Sequence, residues 1–292
     1  MPELPEVETI RLSLLAPLTN RRITGSAIGA FPGVIGAMDW SMFEQGVRDR
    51  TIQGIRRRGK YLLIELDDES GIEVHLRMTG NLTLLPAEVD PVRFEYLVIS
   101  LDDGQTLRYS DQRKFGRVLF HPAVDRSWMA AKLGPEPLTP AFSSAYLERK
   151  LRGRTAAIKA LILDQRIIAG VGNIYADEAL FRSKIHPLQP GGSLTVAEIS
   201  SLVRSIKHVL RMGVENRGTS FSSYRDGYGE SGANQFRLRI YGRGRSGEPC
   251  TRCRGPLTIV EAGGRSSHVC LRCQPLRMIE GAGSGARERQ RR

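Results

Sequence analysis

The sequence lacks several features that would direct it to other classes of protein. No apolar run approaches the roughly 20 residues of a membrane-spanning helix. The first residues, MPELPEVETI, are acidic where a secretory leader would be basic. Both absences predict a cytoplasmic protein with no membrane partner. Cysteine is scarce, with four residues in 292, all between Cys250 and Cys273. In a reducing compartment that confinement excludes a disulfide framework. Acidic side chains are in deficit, 31 against 43 lysines and arginines, for a net charge of +12. The excess suits an anionic partner such as nucleic acid, and it is also what a solvated basic surface would give. Much of it is arginine in short clusters: Arg21-Arg22, Arg56-Arg57-Arg58, and Arg237 through Arg245. A guanidinium's planar fork is suited to phosphate.

With 292 residues, 40% of them apolar, the chain can bury more than one core. The pattern changes along its length. From Pro5, the residues Val7, Ile10, Leu14 and Leu15 recur at helical spacing and stop near Pro17. Strand-like stretches follow at 60–66, 71–85 with a bend at Gly80, 94–110 with a hairpin signal at Asp103-Gly104, and 116–121. These predict a β-sandwich with a leading helix. GPEPLTP (134–140) reads as a linker. Helices are then expected from Thr139-Pro140, over 155–164, over 175–183, and from Thr195, where T-V-A-E is a capping box. Residues 217–235 read as a mobile loop and FRLRIYG (236–242) as a strand. The expected organisation is α+β: a sandwich over 1–134, a helical domain over 135–235, a cysteine-bearing finger over 236–275, and a disordered basic tail over 276–292.

The strongest local signal is CTRC, sixteen residues, then CLRC. Cys250, Cys253, Cys270 and Cys273 have the spacing of a four-thiolate zinc ribbon. Such a site is structural, because four thiolates leave no position open for water or substrate. Arg265 would sit near the tip of the intervening hairpin. In AGVGNIYADEAL (169–180), Gly170 and Gly172 permit a tight turn and Asn173 is placed to cap a helix. That arrangement suits a phosphate at a helix start, or an ordinary packing turn. In SDQRKFG (110–116), Arg113 and Phe115 offer a cation for phosphate or a base edge and an aromatic wedge, unless the phenylalanine is simply core. His75 and Met78 in HLRMTG, and Lys60 in RRRGKYLL, carry the same ambiguity between structure and contact.

Together, in this order and spacing, MPELPEVET, RRRGKYL, HLRMTG, DQRKFG, AGVGNIYADEAL and the cysteine ribbon preceded by IYGR resemble the formamidopyrimidine-DNA glycosylases over about residues 1–274. The resemblance implies a β-sandwich, then a helix–two-turns–helix domain with a zinc finger, and damaged double-stranded DNA in the cleft between. It implies a monomeric bacterial enzyme of base excision repair, working at the nucleoid. Such an enzyme excises 8-oxoguanine and formamidopyrimidines and cuts the strand by β,δ-elimination. Met1 would be removed, and the Pro2 amine would form a Schiff base at C1′ of the sugar. Glu3 would be the adjacent acid/base, Lys60 would act in β-elimination, and Arg265 in δ-elimination. Asn173 would bind the phosphates flanking the lesion. Met78, Arg113 and Phe115 would fill the gap left by the flipped nucleotide. His75 and Arg154 fall at DNA-contacting positions. Phe94 and Tyr96 stand where relatives carry histidines, and Gln112 where proline is frequent. Two other functions compete: an endonuclease VIII-type glycosylase for oxidised pyrimidines, and a non-catalytic protein that binds damaged DNA. ELPE at the start and the Arg113/Phe115 pair argue against the first, and the joint presence of Pro2, Glu3, Lys60 and Arg265 against the second.

Overall fold

A computed structural model describes residues 2–124, 132–243 and 247–277. The expected removal of Met1, and the tail from residue 278 onward, lie outside the described residues, as does Arg245. Helix α1 (Leu4–Leu18) starts the chain. Eight strands then form two four-stranded antiparallel sheets. One sheet is ordered β1 (Ile23–Ile28), β6 (Glu95–Leu101), β7 (Gln105–Asp111), β5 (Gly80–Pro86). The other is ordered β2 (Ile52–Arg58), β3 (Tyr61–Leu66), β4 (Gly71–His75), β8 (Arg117–His121). Their inner faces share one core, with Ile99 and Leu107 from the first sheet and Leu62 and Val74 from the second. Val7, Ile10, Leu14 and Leu18 of α1 complete it at the spacing of one helix face.

The sandwich and its leading helix follow expectation. The predicted bend at Gly80 separates β4 from β5, and Asp103-Gly104 makes the β6–β7 turn with Gly104 at φ 80°. Strands β1 and β2, and helix α2 (Trp40–Val47), are additional elements. Each of these strands carries a register shift at its start, Ile23/Gly25 in β1 and Ile52/Gly54 in β2, which breaks the period-two pattern.

The second core is helical: α3 (Ser144–Leu151), α4 (Ile158–Leu163), α5 (Asn173–Ser183) and α6 (Val196–Glu215). The Thr195 capping box opens α6 as expected. Helix α3 does not begin at Thr139-Pro140. Ser143 is its cap, accepting from Tyr146 N at 3.2 Å, while Thr139 closes a turn onto Glu136 O. Leu4 packs in this second core although Val7 packs in the first, so the start of α1 is held by both domains. The finger hairpin is β9 (Thr258–Ala262) and β10 (Arg265–Val269), turned at Gly263 and Gly264, both at positive φ.

Residues 236–242 do not form a strand. A short 3-10 turn covers Asn234–Arg237, and the N–H groups of Arg239, Ile240 and Tyr241 all converge on the Glu178 carboxylate at 2.8–3.0 Å. Donors aimed at one carboxylate cannot also feed a ladder. The 217–235 segment, expected to be a mobile loop, is tied to the sandwich: Leu84 N donates to Gly227 O at 2.8 Å and Gly227 N to Ser13 Oγ at 3.0 Å. Among the described residues no helix is long and apolar enough to cross a membrane.

Candidate active site

The N-terminus of α1 abuts the N-terminus of α5. Pro2 and Glu3 are both buried there. The Glu3 carboxylate accepts from Ile174 N at 2.9 Å, with Tyr175 N at 3.4 Å. A carboxylate at a helix start is favoured by the free N–H groups and by the helix dipole. The glycines of AGVG make this approach possible. A Cβ on Gly172 would lie 2.3 Å from Glu3 Cδ, and one on Gly170, which has φ +84°, would lie 2.7 Å from Leu4 Cβ. Leu4 N also donates to Gly170 O at 3.0 Å. The anion seated at the start of α5 is therefore Glu3, held by the N–H groups of Ile174 and Tyr175. Asn173 is not the cap either, since Gly172 occupies that position. Its Nδ2 donates to Ser266 O at 3.2 Å, and its Oδ1 is buried with no partner among the described residues.

Glu6 is also fully buried, and does more than complement the dipole of α1. It accepts from Glu3 N (2.8 Å), Tyr175 Oη (2.7 Å) and Thr219 N (2.8 Å). Asn234 Nδ2 donates to Thr219 Oγ1 at 2.9 Å and lies 3.3 Å from Tyr175 Oη. This network joins α1, α5 and the 217–235 segment. The signal for it was the pair Glu3/Glu6 at capping-box spacing. Its distant partners carry no local signature.

Burial pushes the Glu3 carboxyl up to about 7, with Lys60 pulling it down and Glu6 pushing it further up. Lys60 follows Gly59 (φ 57°) in the β2–β3 turn and keeps partial solvent access. Its ammonium is nonetheless lowered from the usual lysine range, by burial first, against the raising effect of Glu3 and Glu6; Arg265 lowers it further. Glu3, Lys60 and Arg265 thus share one electrostatic site, with Asn173 joined to it through the hairpin carbonyl of Ser266. Arg265 is exposed and starts β10 immediately after the glycine turn, as expected.

The four cysteine Sγ atoms lie within 4.8 Å of one another. Cys253 and Cys270 are 3.5 Å apart, and Cys250 and Cys273 3.9 Å. A tetrahedron with Zn–S of about 2.3 Å requires S···S of about 3.8 Å, so the donor set fits one structural Zn2+. Cys250 and Cys270 are buried beside Phe181 and Ile240, which anchors the finger to α5.

Met78, Arg113 and Phe115 form a separate, exposed group. Arg113 Nη1 lies 3.0 Å from Met78 Sδ, and its guanidinium sits 4.7 Å from the Phe115 ring centre. Phe115 is 50% exposed and Met78 38%, so neither is core. Asp111 shapes the loop, accepting from Arg113 N (3.1 Å) and Gly116 N (2.8 Å). Gly116 is required there, since a Cβ would meet Tyr109 Oη at 1.8 Å.

The remaining predicted residues are more dispersed. His75 stands edge-on to Tyr61 at 4.3 Å and accepts from Arg77 N; burial, with Arg77 and Lys60 nearby, lowers its pKa to about 4. Phe94 is half-buried against the sandwich core with Arg93 over its ring at 4.6 Å, and Tyr96 is buried. Arg154 is exposed before α4, in a basic stretch with Arg149, Lys150 and Arg152. The arginine clusters are largely spoken for. Arg56 pairs with Glu65, Arg57 with Glu8 and Glu136, and Arg58 with Glu136. Arg21 pairs with Asp103 and Arg22 with Asp49. Glu136, in the GPEPLTP segment, also accepts from Gly59 N at 2.6 Å, so these charges join the two domains instead of awaiting phosphate.

Three family models match: the formamidopyrimidine-DNA glycosylase N-terminal domain over residues 1–118, the formamidopyrimidine-DNA glycosylase H2TH domain over 133–225, and a zinc finger found in FPG and IleRS over 247–276. A formamidopyrimidine-DNA glycosylase of Herpetosiphon aurantiacus is 46% identical over 94% of this chain and 100% of its own. One from Pelotomaculum thermopropionicum is 43% identical over 95% and 100%. Among solved structures, Lactococcus lactis Fpg with an abasic site containing DNA superposes with a TM-score of 0.87 at 33% identity, covering 94% of this chain and 99% of that one. MutM with carbocyclic 8-oxo-G containing DNA gives 0.86 at 34% identity, covering 94% and 100%.

Proposed function

This chain belongs to the formamidopyrimidine-DNA glycosylase family and is a DNA glycosylase, and from that premise we propose that it excises oxidised purines, 8-oxoguanine and formamidopyrimidines, from duplex DNA and then cleaves the strand as an AP lyase. The observation that carries this reading is the buried Pro2–Glu3 pair seated on the start of α5 beside Lys60.

Removal of Met1 frees the Pro2 secondary amine. An α-amino group titrates at roughly 7.7–8.0, so a useful fraction is neutral near pH 7. The amine attacks C1′, forming the N–C1′ bond as the glycosidic bond breaks and the base leaves with its electron pair. The attacking nitrogen gives up its N–H proton to the Glu3 carboxylate, and Glu3, poised near neutrality, passes that proton to O4′ as the C1′–O4′ bond opens, leaving a cationic iminium. The iminium acidifies the C2′ proton. Loss of that proton expels the 3′ phosphate with the C3′–O bonding pair, and a second elimination, with loss of the C4′ proton, expels the 5′ phosphate with the C5′–O bonding pair. Lys60, held below its usual pKa, is suited to take a proton in the first elimination. Arg265 and Asn173 bind the phosphates that leave. Met78, Arg113 and Phe115 occupy the gap left by the extruded nucleotide, whose flipping costs a few kcal/mol. His75, neutral at pH 7, Phe94 and Arg154 contact the DNA around it. The zinc holds the hairpin that carries Arg265. The protein acts as a monomer in the bacterial cytoplasm, at the nucleoid.

A lesion panel tests the assignment. Duplexes carrying 8-oxoguanine or formamidopyrimidine opposite cytosine should be cut to β,δ products. Preference for an oxidised pyrimidine would move the chain to the sister activity, and tight binding without cleavage would make it a binding protein.

A further inference from the structure

One turn beyond the Glu3 contact, helix α5 carries a second buried carboxylate that this chemistry does not use. Asp177 and Lys159 are both fully buried, with Nζ 2.6 Å from Oδ1. Lys159 Nζ also donates to Ser266 O at 2.9 Å. Asp177 accepts from Ser267 Oγ at 2.6 Å and from His268 N at 2.9 Å, and lies 3.3 Å from His268 Nδ1. Apart from the ion pair itself, every one of these bonds ends on the three residues that follow Arg265. The Ser266 carbonyl that receives Lys159 is also the one that receives Asn173.

A buried ion pair is a poor source of stability, because desolvation offsets its attraction and an apolar pair of similar volume often does as well. Its use here is better explained by position. A two-stranded hairpin has little rigidity of its own. Most of β9 and the first two residues of β10 are solvent-accessible. The metal fixes only the base of the finger, and Arg265 stands at the other end beside two glycines. Something on the scaffold has to hold the strand between.

We infer that Asp177, with Lys159 as its counterion, is a positioning residue that fixes strand β10 in register on helix α5, and so sets Arg265 and Asn173 relative to Glu3. One helix then aligns the whole site: its first turn receives the Glu3 carboxylate and carries the Asn173 amide, and its second turn carries the clamp for the arginine. The inference rests on the reading of Arg265 as the group acting in δ-elimination.

The test uses the full-length, zinc-loaded protein and the double variant Lys159→Met/Asp177→Leu, which replaces the pair by apolar packing and avoids stranding a buried charge. Zinc content and borohydride trapping on a preformed abasic-site duplex should match wild type within twofold. The δ-to-β product ratio should fall about tenfold, toward that of Arg265→Ala. An unchanged ratio in the double variant, with the ratio reduced in Arg265→Ala, overturns the clamp alone. An unchanged ratio in Arg265→Ala overturns the reading of Arg265 and the clamp with it. Loss of zinc or of imine trapping in the double variant also overturns the inference, because the pair would then support the finger or the site at large.

Discussion

Replacing Glu3 by glutamine should make the protein more stable at alkaline pH while abolishing its chemistry. The carboxyl is 1% exposed and its pKa is raised from 4.5 to about 7. A rise of about 2.5 units corresponds to about 3 kcal/mol. The folded state therefore holds a proton that the unfolded chain releases. The stabilisation is complete below the unfolded pKa and is lost as pH rises through the folded one, so ionised Glu3 weakens the fold most above pH 7. Glutamine has no such dependence. Its amide oxygen can still accept from Ile174 N, but its NH2 would face Tyr175 N, at a cost of about 1 kcal/mol. Glu3→Gln should then exceed wild type by about 2 kcal/mol at pH 8.5, about 4 °C in melting temperature for a chain of this length, and the gain should vanish near pH 5. Thermal melts at the two pH values read it directly, and most substitutions at buried sites destabilise. A variant that is less stable than wild type at pH 8.5, or a difference that does not change with pH, would refute the argument that burial dominates the Glu3 environment.

Four further outcomes follow from the same geometry. Gly172→Ala places a Cβ 2.3 Å from Glu3 Cδ; imine trapping should fall at least about 100-fold, roughly 3 kcal/mol, with zinc content by mass spectrometry unchanged. Cys250→Ser should release zinc and weaken DNA binding at least about tenfold, and full affinity in metal-free protein would exclude a structural role for the ribbon. Phe115→Ala should slow excision of a paired lesion about tenfold, a fraction of the few kcal/mol that extrusion costs, yet leave cleavage of a preformed abasic site near wild type. Protein that retains Met1, or any residue ahead of Pro2, should keep its melting temperature and lose imine formation, as checked by intact mass alongside the trapping assay.

The parts of this molecule that were legible in its sequence are those whose partners are close in the chain or whose spacing is chemically restrictive. Strands β3 to β8 lie in stretches rich in apolar and β-favouring residues, the T-V-A-E box announces α6, and two C-x-x-C knuckles leave few alternatives to a metal. What escaped depends on distant partners or on local irregularity. Strands β1 (ITGSAI) and β2 (IQGIRRR) carry few apolar residues and an interior glycine each, which weakens the strand signal. Arg57 reads as a phosphate ligand until Glu8 and Glu136 close on it from either side in the chain. Residues 239–241 alternate like a strand, but the carboxylate that claims their N–H groups belongs to Glu178. The GVGN turn shows the same limit within the site: its glycines were visible, but the anion they admit is supplied by Glu3, about 170 residues away, and no local pattern names it.

The central claim is that the chain terminus is the reacting group. Borohydride reduction during turnover of a duplex containing 8-oxoguanine opposite cytosine, followed by proteolysis and mass spectrometry of the cross-linked peptide, tests it most directly. The predicted result is a covalent adduct on the N-terminal peptide, with the DNA attached at Pro2. An adduct mapped to a lysine, or normal cleavage of the lesion strand by Pro2→Gly with no loss of rate, would contradict it.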